Sequence, residues 1–336
     1  MTSARTDKIC CFGELLLRFA LPQKWTTQQS LTYYIGGAEL NVATALARWG
    51  ENTSYVTALP DNYMAKELIE YIKDNGIATD AILLSGERVG TYYLPEGNDV
   101  KSNGVIYDRE HSSFSKLKPG TIDWDAAFKD CTRFHFSAIS PALNKNAALV
   151  CKEAAEAAKA KGLKISVDLN YRNKLWKYGI EPKQIMRDLV GHCDVIMGNM
   201  WSADSLLGVA SPIKDSLDVP DLVVNKAAIE SMKMLQESFP DARTIAYTQR
   251  FTDKYWGIMR QGEENFVSHV HMLQDARGPV GSGDCFMAGL IYALVLQFEP
   301  KDIINFAASA AVGKLYESGD ATKQSVKDIK ERMYGK

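Results

Sequence analysis

From residue 133 onward the chain alternates between short apolar runs and helical periodicity, and no other feature restricts its fold as strongly. The runs at 133–139, 164–169, 194–198 and 244–249 have the length and composition of strands. Between them, 144–161, 181–191 and 225–238 space their apolar residues as helices do. Strand, helix and strand in series join as crossovers between parallel strands, and a succession of them implies an α/β fold with helices on both faces of a parallel sheet. Two further strands are expected at 255–259 and 266–272, and helices at 285–298 and 302–317.

The first third reads differently. Residues 8–13 (KICCFG) suit a central strand that ends in glycine, 39–49 and 64–75 suit helices closed by Gly50 and Gly76, and 53–60 suits a strand. Around these, 14–21 and 31–37 alternate, with Leu15, Leu17 and Phe19 on one face and Arg18 on the other, the pattern of a half-buried sheet. Gly90 to Leu94 and Gly104 to Asp108 are two more strands, joined by the turn-rich Glu96-Gly97-Asn98-Asp99 with no helix between them. Residues of about 14–36 and 86–114 are therefore expected to form a small β-sheet lid inserted into one domain that spans 1–336.

Composition excludes several classes of partner. Lys+Arg 39 against Asp+Glu 41 leaves a formal net charge of -2, so nothing in the overall balance favours nucleic acid or an anionic membrane. No apolar run approaches the roughly 20 residues of a spanning helix. Six cysteines at 10, 11, 131, 151, 193 and 285 contain no CxxC pair, and the chain opens with polar residues. The expectation is a cytoplasmic protein.

Candidate chemistry concentrates in Gly278-Pro279-Val280-Gly281-Ser282-Gly283-Asp284, which runs straight into the apolar helix starting near Cys285. Three small residues leave backbone N–H groups uncovered at the positive end of a helix dipole, which suits a phosphate. Asp284 beside that phosphate could take the proton of a hydroxyl attacking phosphorus. Ligands of open parallel sheets lie beyond the carboxyl ends of the strands, where this loop belongs.

These residues carry a resemblance. Gly36-Gly37-Ala38 with Asn41 and Ala43, Gly90-Thr91-Tyr92, Tyr107-Asp108-Arg109, Asp168-Leu169-Asn170-Tyr171-Arg172 and Gly281-Ser282-Gly283-Asp284 stand in the order found in the ribokinase-like carbohydrate kinases, the PfkB family. The chain resembles most the 2-keto-3-deoxygluconate kinases of that family. The resemblance spans nearly the whole chain and implies a ribokinase-like three-layer sandwich with a β-lid, ATP-dependent phosphorylation of a sugar hydroxyl, Mg²⁺, and a homodimer or higher homo-oligomer joined through the lids. It implies Asp284 as general base with Gly281, Ser282 and Gly283 around the transferred phosphate. Gly36, Gly37, Asn41, Tyr92, Tyr107, Arg109, Asp168, Asn170 and Arg172 would face the sugar, and Asn199 and Thr248, with Gly281 and Gly283, the nucleotide.

The residue types agree with those roles. Tyr107 and Arg109, two apart on a strand, share a face. Arg109 from the lid and Arg172 from a strand-end loop would bring two guanidiniums to one cleft, which suits a carboxylated ligand because arginine binds carboxylate in a bidentate way. The expected substrate is thus 2-keto-3-deoxygluconate, phosphorylated at its terminal hydroxyl. A fructokinase-like enzyme, or a sugar-acid-binding protein that has lost phosphoryl transfer, are the alternatives.

Three departures from the family pattern fall on the nucleotide and metal side. Gly278 stands where an aspartate is usual, with Asp275 three residues further back. Ser202 replaces the glutamate of an Asn-x-x-Glu motif that starts at Asn199, with Asp204 two beyond. Gln249-Arg250-Phe251 follows the strand where a glycine is usual. The metal ligands therefore stay open. His269 and His271 share a strand face but lack companion ligands, so they are expected to be part of the sheet surface. Cys285 is expected to be a small buried residue.

Overall fold

The computed structural model describes residues 7–96, 104–214, 219–276 and 278–335. Lys8–Phe12 runs through the middle of a sheet of ten described strands, flanked in parallel by Asn52–Val56 and Cys131–Ser137. Ile77–Ala78 continues the sheet on one side, and Lys164–Asp168, Val195–Gly198 and Thr244–Arg250 continue it on the other, all parallel. The direction then reverses, because Lys254–Gln261 pairs antiparallel with Thr244–Arg250 and also with Glu264–Val267 and His271–Met272. The single strand expected over 266–272 is thus two, both antiparallel.

Successive strand residues point to opposite faces, so Ile9 and Cys11 enter one apolar core while Cys10 and Phe12 enter the other. The first core is closed by the helices Ala38–Arg48, Tyr63–Asp74, Ser282–Val295, Pro300–Lys314 and Val326–Met333. The second is closed by Trp124–Ala127, Lys145–Ala160, Pro182–Val190, Met200–Leu207 and Asp221–Ser238. This is the three-layer α/β sandwich the resemblance implies. The short helix Met200–Leu207, not foreseen from periodicity, is set by its ends: Asn199 and Ser202 form a capping box, and Gly208 stops it at a φ of 68°. The helix Ser282–Val295 begins three residues earlier than expected, which puts Asp284 inside its first turn.

A second sheet of four strands has the order Thr32–Gly36, Leu16–Leu21, Gly90–Pro95, Ile106–Asp108. The segments expected to pair across the 14–36 and 86–114 regions do so, with Leu16–Leu21 parallel to Gly90–Pro95. Of the turn expected at 96–99, residues 97–99 lie outside the described residues. The buried face of Leu16–Leu21 is the one that carries the arginine, since Leu16, Arg18 and Ala20 are covered while Leu17, Phe19 and Leu21 are half-buried. On that outer face Phe19 stacks on Tyr93 at 5.3 Å, with Tyr33 and Ile106 exposed nearby. No helix among the described residues is long and apolar enough to cross a membrane.

Candidate active site

A cavity of about 500 Å³ opens where the carboxyl ends of the parallel strands meet the small sheet and the N-terminus of Ser282–Val295. Topology accounts for its place: parallel strands deliver their following loops to one edge, and there Asp168, Gly198 and Thr248 end up side by side.

At its floor Gly281 caps the helix with a φ of 78°. A side chain there would collide with the Asp320 carbonyl, which lies 2.0 Å from the position of a Cβ. The Ser282 N–H is taken by the Pro279 carbonyl at 3.3 Å and the Cys285 N–H by Gly281 at 2.9 Å. The Gly283 and Asp284 N–H groups meet no acceptor among the described residues and stand at the helix mouth, where an anion is favoured. Asp284 is buried, and Asn41 Nδ2 donates to its Oδ2 at 2.7 Å. Burial raises its pKa to about 7 against the lowering effects of the Asn41 hydrogen bond and Arg172, with Glu39 and Asp320 adding to the rise. A carboxyl titrating near neutrality in a cleft is suited to accept a proton. Asn41 Oδ1, also buried, has no partner of its own.

Gly37, with a φ of 134°, and Asn41 line the cavity, as do Tyr92, Tyr107, Arg109, Asp168, Asn170 and Arg172. Gly36 does not line it. A Cβ at Gly36 would lie 2.4 Å from the Asp320 carboxylate, so this glycine makes room for that acid. Of the two arginines expected to meet one ligand carboxylate, Arg109 lies just past Ile106–Asp108 and already pairs with one of the protein's own. Its Nε and Nη2 donate to Glu14 Oε2 at 2.7 and 2.6 Å, both side chains being buried. Ser112 holds the other Glu14 oxygen. Arg172 has only a long contact to the Tyr171 carbonyl, at 3.5 Å, and no carboxylate partner among the described residues. One residue that the sequence pattern did not point to, Asp320, completes this wall. Asp320 lines the cavity and receives Arg18 at 2.6–2.7 Å and the Tyr92 hydroxyl at 3.2 Å.

Residues 6–325 match the pfkB family carbohydrate kinases. The chain belongs to that family. The kinase is 29% identical to a 2-dehydro-3-deoxygluconokinase from Thermotoga maritima of known crystal structure, with a TM-score of 0.89 and 98% and 100% of the two chains covered. A 2-dehydro-3-deoxygalactonokinase of Haloferax volcanii is 24% identical over 332 residues, 98% of each chain. A 5-dehydro-2-deoxygluconokinase of Geobacillus kaustophilus is 24% identical over 84% of this chain and 79% of its own. Membership makes the kinase a phosphotransferase with an alcohol acceptor, and a sugar-directed one.

The wall expected to border the nucleotide carries fewer acids than the family pattern. Asn199, Ser202 and Thr248 line the cavity. Asn199 Oδ1 accepts the Ser202 N–H at 2.9 Å, and Ser202 Oγ accepts the Asn199 N–H at 3.0 Å, so the serine at the position of the usual glutamate has become part of a helix cap. Neither nearby acid replaces it: Asp204 faces solvent, and Asp275 is exposed and away from the cavity lining. A Cβ on Gly278 would meet nothing within 4 Å. Arg250, the last residue of the strand Thr244–Arg250 and at a place where a glycine is usual, lines the cavity. No group of three His, Cys, Asp or Glu side chains fit to hold a metal occurs among the described residues. His269 is exposed, and burial lowers the pKa of His271 to about 4. Cys285 is buried, which pushes its thiol up to about 12 and removes it as a nucleophile.

Proposed function

We propose that the protein phosphorylates a 2-keto-3-deoxy sugar acid, 2-keto-3-deoxygluconate, at its terminal hydroxyl with ATP, giving the 6-phosphate. The observation that carries this reading is Arg172: a guanidinium without a carboxylate partner among the described residues lines the same cavity as Asp284 and Asn41. An unpaired arginine beside a sugar site calls for an anionic group on the sugar, and a neutral hexose has none. The names of the relatives, which include acids of both gluco and galacto configuration, point the same way.

In this reading the sugar carboxylate pairs with Arg172, with Tyr107 and Arg109 beside it, while Gly37 brings backbone close to the ligand. Asn41 Oδ1, buried and unpartnered, accepts a sugar hydroxyl proton. Asp284 takes the proton of the terminal hydroxyl as its oxygen attacks the γ-phosphorus, the oxygen–phosphorus bond forms and ADP leaves. The N–H groups of Gly283 and Asp284 face the charge on the moving phosphoryl group. Asn199 and Thr248 border the nucleotide. Mg²⁺ binds oxygen ligands and keeps much of its water, using one or two carboxylates beside substrate phosphates. Three carboxylates line the cavity, Asp168, Asp284 and Asp320; Asp284 is engaged by Asn41, Asp320 by Arg18 and Ser202 by its cap, and no group of three His, Cys, Asp or Glu fit to hold a metal occurs among the described residues, so these residues do not build a metal site. Mg²⁺ would accompany the nucleotide phosphates and neutralise part of their charge. The small sheet closes over the sugar as a lid, and its outer face, with Phe19, Tyr33, Tyr93 and Ile106, is where a second copy would join.

The test is ADP release with Mg-ATP over a panel holding 2-keto-3-deoxygluconate, its galacto epimer, fructose and ribose. The reading expects both keto-deoxy acids to exceed the neutral sugars in kcat/KM by at least about tenfold. A preference for fructose would overturn it.

A further inference from the structure

Lys314 is the last residue of the helix Pro300–Lys314 and is wholly buried. Its Nζ donates to one acceptor, the Gly319 carbonyl at 2.9 Å, and no carboxylate lies within ion-pair distance of it among the described residues. An ammonium has three donors, and a buried charge with a single neutral acceptor is costly unless something else in the molecule uses it. The helix end supplies part of the compensation, since lysine is favoured at a helix C-terminus.

The position of the side chain supplies the rest. Lys314 Cε lies 3.2 Å from where a Cβ on Gly281 would stand, and the Asp320 carbonyl lies 2.0 Å from the same point. Gly281 lines the cavity, whereas Lys314 does not. The lysine therefore stands directly behind the loop whose N–H groups face the phosphoryl group, and it braces the 314–319 turn against that loop. For filling space there, a methionine or leucine would avoid the cost of burying charge.

We propose that Lys314 is a positioning residue for phosphoryl transfer: from behind Gly281 it adds a fixed positive charge to the anion loop and holds that loop in place without touching substrate. This rests on the reading of Gly281–Asp284 as the phosphoryl site. The charge is buried against the loop, so its field acts at short range and strengthens as negative charge gathers on the transferring group.

Lys314→Met keeps the stem and removes the charge. The expected result is a kcat lower by about tenfold or more, with KM for ATP and sugar changed by less than about threefold, because the interaction matters most in the transition state. The melting temperature should stay level or rise, since a buried charge has been removed. In Lys314→Ala, ethylammonium should restore part of the lost kcat and ethanol should not. A Lys314→Met enzyme with wild-type kcat would overturn the inference. So would parallel loss of kcat and melting temperature in both variants with no rescue by ethylammonium. Wild-type enzyme that transfers phosphate to none of the sugars would instead overturn the site reading beneath it.

Discussion

The two walls of the cavity treat their charges in opposite ways. On the small-sheet wall each arginine is matched inside the protein, Arg18 by Asp320 and Arg109 by Glu14, with all four side chains buried. On the strand-end wall Arg172 has no carboxylate partner among the described residues, and two positions that are acidic in the family pattern hold Gly278 and Ser202, the latter capping a helix. The first wall has these charges matched before any ligand arrives. The second has charge and backbone donors to offer. Identical side chains can thus be framework in one place and receptor in another, and the partner decides which.

Asp284 stands between the two walls, and its removal should have the largest effect. Asp284→Asn keeps shape and the contact with Asn41 but cannot accept a proton, so kcat should fall by about 10²–10⁴-fold with KM for the sugar little changed. Near-normal turnover in steady-state assays would take Asp284 out of the mechanism.

The two arginines break the comparison most directly. Arg109→Leu leaves Glu14 buried without its partner, at a cost of about 3–5 kcal/mol, to be read as a lower denaturant midpoint. Arg172→Leu should leave that midpoint nearly unchanged. It should instead lose about 2–5 kcal/mol in kcat/KM for 2-keto-3-deoxygluconate while the value for fructose changes little. Equal loss on both substrates would make Arg172 a structural residue like Arg109.

Acid titration gives a smaller effect. Because burial holds the Asp284 pKa near 7, kcat/KM should rise with pH through about 7 as the carboxyl ionises. Stability moves the other way. The folded state keeps a proton that the unfolded chain, with an ordinary value of about 4, releases, so the stabilisation is full below about pH 4 and fades as pH climbs through 7. Asp284→Asn escapes this loss, so its melting temperature should gain on wild type between pH 5 and pH 8. A constant gap would mean that Asp284 titrates normally.

The smallest change belongs to the second wall. Ser202→Ala deletes half of a capping box and should cost about 0.5–2 kcal/mol of stability, with turnover changed less than about threefold. A large loss of turnover at unchanged stability would show that Ser202 serves the nucleotide rather than the helix.

Much of this was legible in the chain. The strand and helix succession after residue 133 reads directly because each parallel strand is buried on both faces and the helices Lys145–Ala160, Pro182–Val190 and Asp221–Ser238 on one, so both periodicities are strong. The glycine loop and Asp284 read well because backbone geometry and chemistry sit within seven residues. The wall pairings do not. Arg18 interrupts an apolar alternation and looks like a solvent-facing residue until Asp320 is known to lie opposite it. Glu14 sits at a strand start, where an acid is unremarkable. Ser202 reads as a lost ligand, although its role as a cap was visible in the Asn199 to Ser202 spacing. Gly36 reads as a ligand contact, because sequence does not show that its missing side chain makes space for an acid nearly three hundred residues away.

That distance has a consequence for how the protein comes to be made. Arg18 and Asp320 are 302 positions apart, so during synthesis the small sheet is translated long before the residue that neutralises its buried arginine. Until Asp320 leaves the ribosome, Arg18 lacks the carboxylate that it meets in the folded protein. A product cut short before Asp320 would lack the carboxylate that Arg18 and the Tyr92 hydroxyl meet in the cavity wall.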